Sequence, residues 1–498
     1  MTAEREVKLA ASPDFRLPSF AGLGDGLVAE PRPVERLQTV YFDTADLRLA
    51  RWGVSVRHRT GQGWTVKLPG ERVGDLLVRG EHLFPGEDAS TPPTEALDLL
   101  RAYVRTTTLR PAARLRSVRH GVDVRDEEGA SLADVVYDEV SVLVGGRVEQ
   151  RFREVEVEVP EETPPDLLDA ILAALKGAGA SVAAEPISKY RRAIGDRAAG
   201  PPEVVVPELP PKPTGGQAVR RAIANSVVFL LRSDAVVRLD EDVEGVHQAR
   251  VATRRLRSDL RTFGPLLDRE WTRELRDELR WLGDALGGAR DTDVLLERLR
   301  GRVSQLPATE LAGAAAAVEA LERRDKEVHA ALLEVIRSDR YVALLHRLVA
   351  AANGPALVPE ADRPAIEVLP GLVRGPWGAL AKKVRKAGKR PTDERLHDIR
   401  IRTKRLRYAA EAVAPVAGAK AQRFAKAAEG LQGVLGGHND AVVAETWLRD
   451  WAVQAGSVDA AFAAGMLGGI ERAAALEVRG TWRRAWRRLD DPRLRTWL

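Results

Sequence analysis

The sequence predicts an α+β, multidomain protein in which a β-rich first half is followed by an all-α second half. Three observations carry this. Residues 1–196 alternate apolar and polar positions with period two, as in "EREVKLA" (4–10), "VSVRHRT" (54–60), "WTVKLPG" (64–70) and "FREVEVEV" (152–159), the signature of strands with one face buried. Residues 217–498 instead carry long Ala/Leu/Arg segments with 3.6-residue periodicity, the signature of helices. Between them lies "RAAGPPEVVVPELPPKPTGG" (197–216), rich in proline and glycine and without either period, which reads as a stiff linker.

Composition sets the outer bounds. The chain has 498 residues, 44% of them hydrophobic, enough to build more than one core. Charged residues make up 30%, yet net charge is only +5. Attraction for polyanions must therefore come from local clustering of basic residues. The absence of cysteine excludes disulfides, thiolate metal sites and a cysteine nucleophile. The first residues lack an apolar signal core, and no run approaches the ~20 apolar residues of a membrane span. The expectation is a cytoplasmic protein that does not engage membranes.

In the first half, helices are predicted at 93–104 and 165–177, with strands and turns elsewhere. Residues two apart in a strand share a face. Glu4, Glu6 and Lys8 therefore point together, as do Arg57 with Arg59, Thr65 with Lys67, Arg79 with Glu81, and Glu154 with Glu156 and Glu158. The alternate positions Val54, Val56, Val66, Val155, Val157 and Val159 are apolar. The polar face of a single strand is normally solvated. Several strands that all carry carboxylates and bases fit a closed barrel with an ionic lumen better. Carboxylates there are hard ligands for Mg²⁺ or Mn²⁺. Facing Arg and Lys hold phosphate oxygens through charge-assisted bonds.

This half resembles the CYTH domains, the triphosphate tunnel metalloenzymes. "EREVK" matches their ExExK signature, and "VYFDTADLRLARWGVSVRHR", "TVKLPG", "REVEVEV" and "ISKYRRA" follow in family order over roughly 1–195. The resemblance implies an eight-stranded antiparallel tunnel that binds triphosphate with divalent metal. By position it makes Glu4, Glu6, Glu154 and Glu156 metal ligands, supported by Asp138 and Glu81. Lys8, Arg57, Arg59, Lys67 and Lys189 would hold phosphate, and Glu4, Glu6 and Lys8 form the expected catalytic core. "ARLRSVRHGV" is ambiguous, offering Arg114 and Arg116 on one face or Arg119 on the other. The family pattern favours Arg119 but expects a lysine where this chain has Ser117. Asp43 and Thr44 read as a turn or cap with no catalytic role.

The second half contains an internal repeat. "GVHQARVATRRLR" (245–257) returns as "RLHDIRIRTKRLR" (395–407), and "LGGARD" (286–291) as "LGGHND" (435–440). Two elements in the same order at matching separation indicate two related bundles, about 217–355 and 365–498. At 100° per residue, His247, Arg250, Arg254, Arg257 and Arg261 share a stripe about 80° wide. Ala249, Leu256, Leu260 and Phe263 lie opposite, toward the core. The second copy presents His397, Arg400, Lys404 and Arg407 against Ile399, Leu406, Ala410 and Val413. Arg255 and Arg405 add to the two copies, and Lys382, Lys386 and Lys389 form a further basic run upstream of the second. Asp291 and Asp440 follow what read as glycine breaks, as helix N-caps or as groups that orient arginines. "WRRAWRR" (482–488) suits a packing helix as well as a stacking surface.

The stripe offers cations without interleaved aromatics, Tyr408 excepted, and no nucleic-acid motif is visible, so nucleic acid is disfavoured. This half resembles the CHAD domain over roughly 217–498. That resemblance implies two four-helix bundles related by pseudo-symmetry that bind inorganic polyphosphate along their basic surfaces. The combined expectation is a metal-dependent triphosphatase joined to a polyphosphate-binding module, able to reside at polyphosphate granules. The rivals are a non-catalytic polyphosphate-binding protein, an adenylate cyclase and a nucleic-acid binder.

Overall fold

The computed structural model describes residues 3–20, 22–24, 26–73, 76–182, 187–240 and 242–498; the side chains of residues 3, 4 and 71–73 lie outside the described set. The chain divides into two compact units, Met1–Glu203 and Val204–Leu498.

The first unit contains β1 (Ala3–Ala11), β2 (Val28–Pro31), β3 (Glu35–Asp43), α1 (Arg48–Trp52), β4 (Ser55–Arg59), β5 (Gly63–Lys67), β6 (Glu71–Val73) and β7 (Leu76–Phe84). It continues with α2 (Thr94–Leu99), α3 (Arg101–Val104), β8 (Arg110–Arg125), β9 (Ser131–Val144), β10 (Arg147–Glu158), α4 (Pro165–Gly177), β11 (Ala180–Val182) and α5 (Lys189–Ile194). Eight strands run antiparallel in the order β1-β10-β9-β8-β3-β4-β5-β7, and β7 pairs back onto β1, with Glu4 opposite Arg79, to close the barrel. The remaining strands, β2, β6 and β11, flank it.

Alternation along these strands turns the usual arrangement inside out. Val7, Leu9, Val122, Val124, Val155 and Val157 point outward and are buried beneath Leu167, Ile171, Leu172 and Leu175 of α4. Burial of each such side chain is worth about 1.5–3 kcal/mol, so the outer face holds the core and the lumen is left for charge. At one end Leu115, Val140 and Val142 lie on the lumen side of their strands, and Tyr190 and Ile194 of α5 pack on them. Asp43 fixes this end. Its carboxylate accepts from the Thr44, Leu49 and Ala50 amides at 2.7, 2.9 and 2.9 Å and from Tyr190 Oη at 2.8 Å. The cap reading of Asp43 thus has its partners in the amides that open α1.

The second unit contains α6 (Gly215–Leu239), α7 (Val243–Thr262), α8 (Arg269–Val303), α9 (Leu311–Arg337), α10 (Asp339–Asn353), α11 (Ala365–Lys386), α12 (Asp393–Ala417), α13 (Ala419–Ala452) and α14 (Val458–Leu489). Regular structure reaches into both ends of the Pro/Gly-rich segment: Gly195–Ala198 is a 3-10 turn and α6 begins at Gly215. A capping box of Thr214 with Gln217 starts α6, and Asp242, Asp268, Thr392 and Ser457 cap α7, α8, α12 and α14. The apolar faces of α7 and α12 are buried as expected, with Ala249, Leu256, Leu260, Ile399, Leu406 and Val413 all at 2% exposure or less.

One expectation fails here. The glycine pairs are not helix breaks, because Gly287 and Gly288 lie inside α8 and Gly436 and Gly437 inside α13. Asp291 and Asp440 are therefore not N-caps. Gly287 lends its backbone, Arg250 Nη1 donating to its carbonyl at 3.0 Å, and one turn earlier a Cβ on Gly283 would stand 3.1 Å from Arg257 Nη1, while Gly288, Gly436 and Gly437 have open space around them. The tryptophans of "WRRAWRR" pack, with Trp482 fully buried and Trp486 stacked on Trp377 at 5.5 Å. No helix among the described residues is long and apolar enough to cross a membrane.

Candidate functional site

The lumen holds a cavity of about 160 Å³ lined by Lys8, Arg57, Arg59, Lys67, Arg79, Arg119 and Lys189, together with Glu81, Glu156 and Glu158. This is below the several hundred Å³ of drug-sized pockets, and so suits a small anion. Glu156 is the hub. It accepts from Lys8 Nζ and, at 2.5 Å, from Lys189 Nζ, with Arg119 Nη2 at 3.8 Å. Lys189 also meets Asp138 at 2.9 Å and Glu154 at 2.7 Å. Arg119 grips Asp138 in a fork, Nε at 2.9 Å and Nη2 at 2.7 Å. Glu81 faces Arg57 at 3.5 Å and Lys67 at 3.3 Å.

These charges are buried, which makes their pairing decisive. Burial alone would raise the Glu156 carboxyl, but Lys189, Lys8 and Lys67 hold it well below the usual range. Asp138 is likewise held down to about 2, against burial, by Lys189 and Arg119. Burial would lower the Lys8 ammonium, yet Glu156, Glu6 and Glu154 raise it above its ordinary value. Arg59 differs. Burial and then the neighbouring Arg57 and Arg119 bring it down to about 10. Tyr41 and Asp138 offset this only in part, and cation crowding in excess of the nearby acids favours a bound anion.

Glu6, Glu156 and Glu158 each offer one carboxylate oxygen, and the three oxygens lie within 4.8 Å of one another. Glu6 Oε2 is buried without a hydrogen-bond partner and faces Lys8 Nζ at 3.3 Å. An all-oxygen set with a spare lone pair fits Mg²⁺ or Mn²⁺. Among the expected ligands, Glu6 and Glu156 are brought together here, although each is also paired with cations, Glu6 with Arg79 and Lys8 and Glu156 with Lys8 and Lys189; Glu154, Asp138 and Glu81 pair with cations outside this trio. The Glu4 side chain lies outside the described residues. Sequence reasoning left out Glu158, although it shares the face of Glu154 and Glu156. It also left out Arg79, whose Nη2 donates to Glu6 Oε1 at 2.6 Å, and Arg192, 3.3 Å from Glu154.

Arg116 requires correction as a tunnel ligand. In β8 the odd positions Leu115, Ser117 and Arg119 face the lumen, so Arg114 and Arg116 are exposed on the outer side. Arg116 lines an outer groove with Arg36, Glu139 and Arg151 instead.

In the helical unit the two basic stripes meet. A groove of about 430 Å³ is lined by His247, Arg250, Arg254, Arg290 and Asp291 from the first copy and by His397, Arg400, Lys404, Asn439 and Asp440 from the second. The histidine, arginine and aspartate of one repeat thus face their counterparts of the other. Asp291 holds Arg250 Nη1 at 2.7 Å, and His397 Nδ1 lies 2.7 Å from Asn439 Oδ1. Tyr408 lies beneath Arg254, 5.3 Å from its guanidinium. Burial, then Arg400, Arg254 and Arg250, lower the Lys404 ammonium to about 7.

Other predicted residues stand apart from this groove. Arg255 pairs with Glu411 at 3.1 Å, and Arg407 with Glu411 at 2.6 Å and Glu429 at 3.1 Å. Arg257 and Arg261 continue the first stripe, where burial, followed for Arg261 by Arg405, Arg276, Arg257 and Arg280, brings Arg261 down to about 10. Lys382 and Lys386 line a separate groove with Lys383, Arg395, Asp398 and Arg402. Lys389 is exposed in the segment after α11.

Fold and sites together define a two-part class of protein, a closed β-barrel with an ionic lumen joined to a duplicated helical unit with a basic groove. The model of the CYTH domain matches residues 2–184, and that of the CHAD domain residues 221–449. The uncharacterized protein Rv2226 of Mycobacterium tuberculosis is 33% identical over 502 residues, covering 95% of this chain and 93% of that protein. The chain belongs to the family of proteins in which a CYTH domain is followed by a CHAD domain. Among solved structures, PptA from Streptomyces chartreusis is 23% identical with a TM-score of 0.47, covering 55% of this chain and 99% of that one. The CHAD domain from the plant Ricinus communis is 26% identical with a TM-score of 0.48, covering 58% and 96%.

Proposed function

We propose that the tunnel hydrolyses a phosphoanhydride of inorganic triphosphate or a related chain, and that the helical groove binds inorganic polyphosphate. The observation that supports this most is that Glu6, Glu156 and Glu158 bring three carboxylate oxygens within 4.8 Å of one another, the last two of these residues in the lining of a small cavity that also presents Lys8, Arg57, Arg59, Lys67, Arg79, Arg119 and Lys189. A bound Mg²⁺ or Mn²⁺ would polarise the phosphoryl oxygens and supply an activated water. Arg57, Arg59, Lys67 and Arg119 would cradle the phosphates and stabilise charge on the leaving group. Lys8 and Lys189 now neutralise Glu156 and would turn to phosphate as the metal took over that carboxylate.

The test is phosphate release from tripolyphosphate with and without divalent metal. Absence of metal-dependent release from several triphosphates would reduce the tunnel to a binding site, and cyclic AMP from ATP on chromatography would replace hydrolysis by cyclisation. For the helical unit, unlabelled DNA and RNA are competed against labelled polyphosphate at fixed salt. Nucleic acid winning at equal phosphate would refute the polyphosphate reading.

The strand parity of β8 yields a sharp comparison. Arg119→Ala is expected to lower kcat/KM by about 100-fold or more, in the range for loss of one preorganised charge-assisted donor. Arg116→Ala should stay within about twofold of wild type, and equal losses in the two variants would refute the assignment of lumen and outer faces.

Lys404 gives the groove a pH dependence. Its ammonium is half-neutral near pH 7 in the free protein, and a bound polyanion favours the charged form. Polyphosphate affinity should therefore rise as pH falls from 8.5 to 6.5, by about tenfold if most of the lost charge is restored. Lys404→Arg should flatten the profile while retaining affinity, measured by titration calorimetry at several pH values. A wild-type profile as flat as that of the variant would overturn the assignment.

A further inference from the structure

A second cluster of metal-ligating groups lies in the helical unit, away from the groove lining. His329 of α9 is held at both ring nitrogens. Nδ1 is hydrogen-bonded with Asp240 Oδ1, and Nε2 lies 2.9 Å from Asp293 Oδ1 and 3.9 Å from Asp325 Oδ1. One donor atom each from Asp293, Asp325 and His329 falls within 4.8 Å of the others. We propose that these three residues form a site for a divalent ion that accepts mixed nitrogen and oxygen ligands, Zn²⁺ or a similar first-row metal, distinct from the all-oxygen tunnel set.

Geometry supports this in three ways. Two ligands bound at about 2.0–2.1 Å in a tetrahedron stand about 3.4 Å apart, and the 2.9 and 3.9 Å separations bracket that edge. The Asp293 side chain is 2% exposed and its Oδ2 has no hydrogen-bond partner, and Asp325 Oδ1 is also buried and unpartnered. A carboxylate oxygen buried in that state has unspent lone pairs of the kind that a cation uses. Finally, Asp240 holds Nδ1 and so aims Nε2 at the two carboxylates, the arrangement in which an outer carboxylate orients a metal-bound histidine. Asp240 reaches this position by ending α6 in the left-handed conformation, φ 52°, which aspartate tolerates.

The elements agree with a built site. Asp325 and His329 are one turn apart on α9 and share a face, Asp293 comes from the neighbouring α8, and Asp240 closes the set from the end of α6. Arg290, whose Nη1 stands 3.8 Å from Asp293 Oδ2, is the nearby cation, and it also lines the groove.

The test uses the full chain and the metal alone. Titration with CoCl₂, followed by the visible ligand-field band, and with ZnCl₂ by calorimetry should reveal one equivalent with a nitrogen-containing, tetrahedral signature. His329→Gln should remove that equivalent and the band. Asp240→Asn should weaken it by 10- to 100-fold, the usual effect of losing the outer carboxylate. Asp325→Asn, at a partly exposed position, should also remove it while circular dichroism and melting stay like wild type, which separates ligation from folding. A wild-type protein without the band, or a His329→Gln protein with undiminished stoichiometry, overturns the proposal and leaves His329 as an imidazolium clamped between Asp240 and Asp293.

Discussion

Glu6→Gln combined with Glu156→Gln is expected to lower metal-dependent phosphate release by about 10³-fold or more, given that single preorganised electrostatic contacts are worth about 10²–10³. Glutamine keeps the shape and one oxygen but removes the charge that a hard cation requires. The lumen should tolerate the change sterically, because both side chains are already enclosed, at 0% and 6% exposure. Its cost is electrostatic. Breaking a buried ion pair typically destabilises by about 3–5 kcal/mol, but Lys189 retains Asp138 and Glu154. Lys8 loses both Glu6 and Glu156 and is the exposed weakness of the variant. Adding Lys8→Met should therefore recover thermal stability without recovering activity. Release within tenfold of wild type in a folded double variant would remove these carboxylates from the reaction. The comparison is read as initial rates over a range of metal concentrations, so that weakened metal affinity is separated from lost turnover.

What the sequence made legible follows from which physical rules act locally. Period-two alternation in "EREVK" and "REVEVEV" assigns Glu6, Lys8 and Glu156 to one side of their strands without knowledge of the fold, because the pleat alone decides it. The same rule was sufficient for Arg79 and Glu158, which share faces with Glu81 and Glu156. Only the decision that the polar face was lumen rather than solvent gives them a role. Arg116 against Arg119 is harder, since one residue of register exchanges every face and "ARLRSVRHGV" carries cations on both. Position of strands around the barrel supplied the answer, with Arg119 opposite Asp138 across β8 and β9. The glycines of "LGGARD" misled for a related reason. Glycine weakens a helix interior by only about 1 kcal/mol, and the close approach of Arg250 to α8 is a long-range contact that no local signal announces. That the two stripes converge on one groove was likewise invisible, because periodicity states which face of a helix is polar but not which helices cross.

Arg254→Glu with Arg400→Glu should weaken polyphosphate binding by about 100-fold or more, since hydrogen bonds to charged groups are worth about 1.5–3 kcal/mol each and reversal adds repulsion. Both residues line the shared groove; burial lowers the pKa of each, and Arg250, Arg407 and Arg400 lower that of Arg254 further, whereas Asp440 and Asp291 offset the burial at Arg400. The reversal relieves crowding at Arg254 but sets a carboxylate near Asp291 and Asp440 at Arg400, so the ligand-free protein is expected to melt close to wild type. Loss of binding with a retained melting temperature therefore marks a functional surface. The two repeats should not respond alike farther along their stripes. Arg257 continues beside Asp284 but also beside Arg261, Arg276 and Arg280, whereas its counterpart Arg407 is paired directly with Glu411 and Glu429. A polyanion leaving the groove along the first repeat meets an excess of cations, Asp284 notwithstanding, whereas along the second it meets an arginine already paired with two carboxylates. Arg257→Ala should therefore weaken binding and reduce its salt dependence, and Arg407→Ala should do little to affinity while loosening α12. Equal effects of Arg257→Ala and Arg407→Ala on a long polyphosphate, titrated at two salt concentrations, would show that the chain follows both repeats and that the acidic pairs are no barrier.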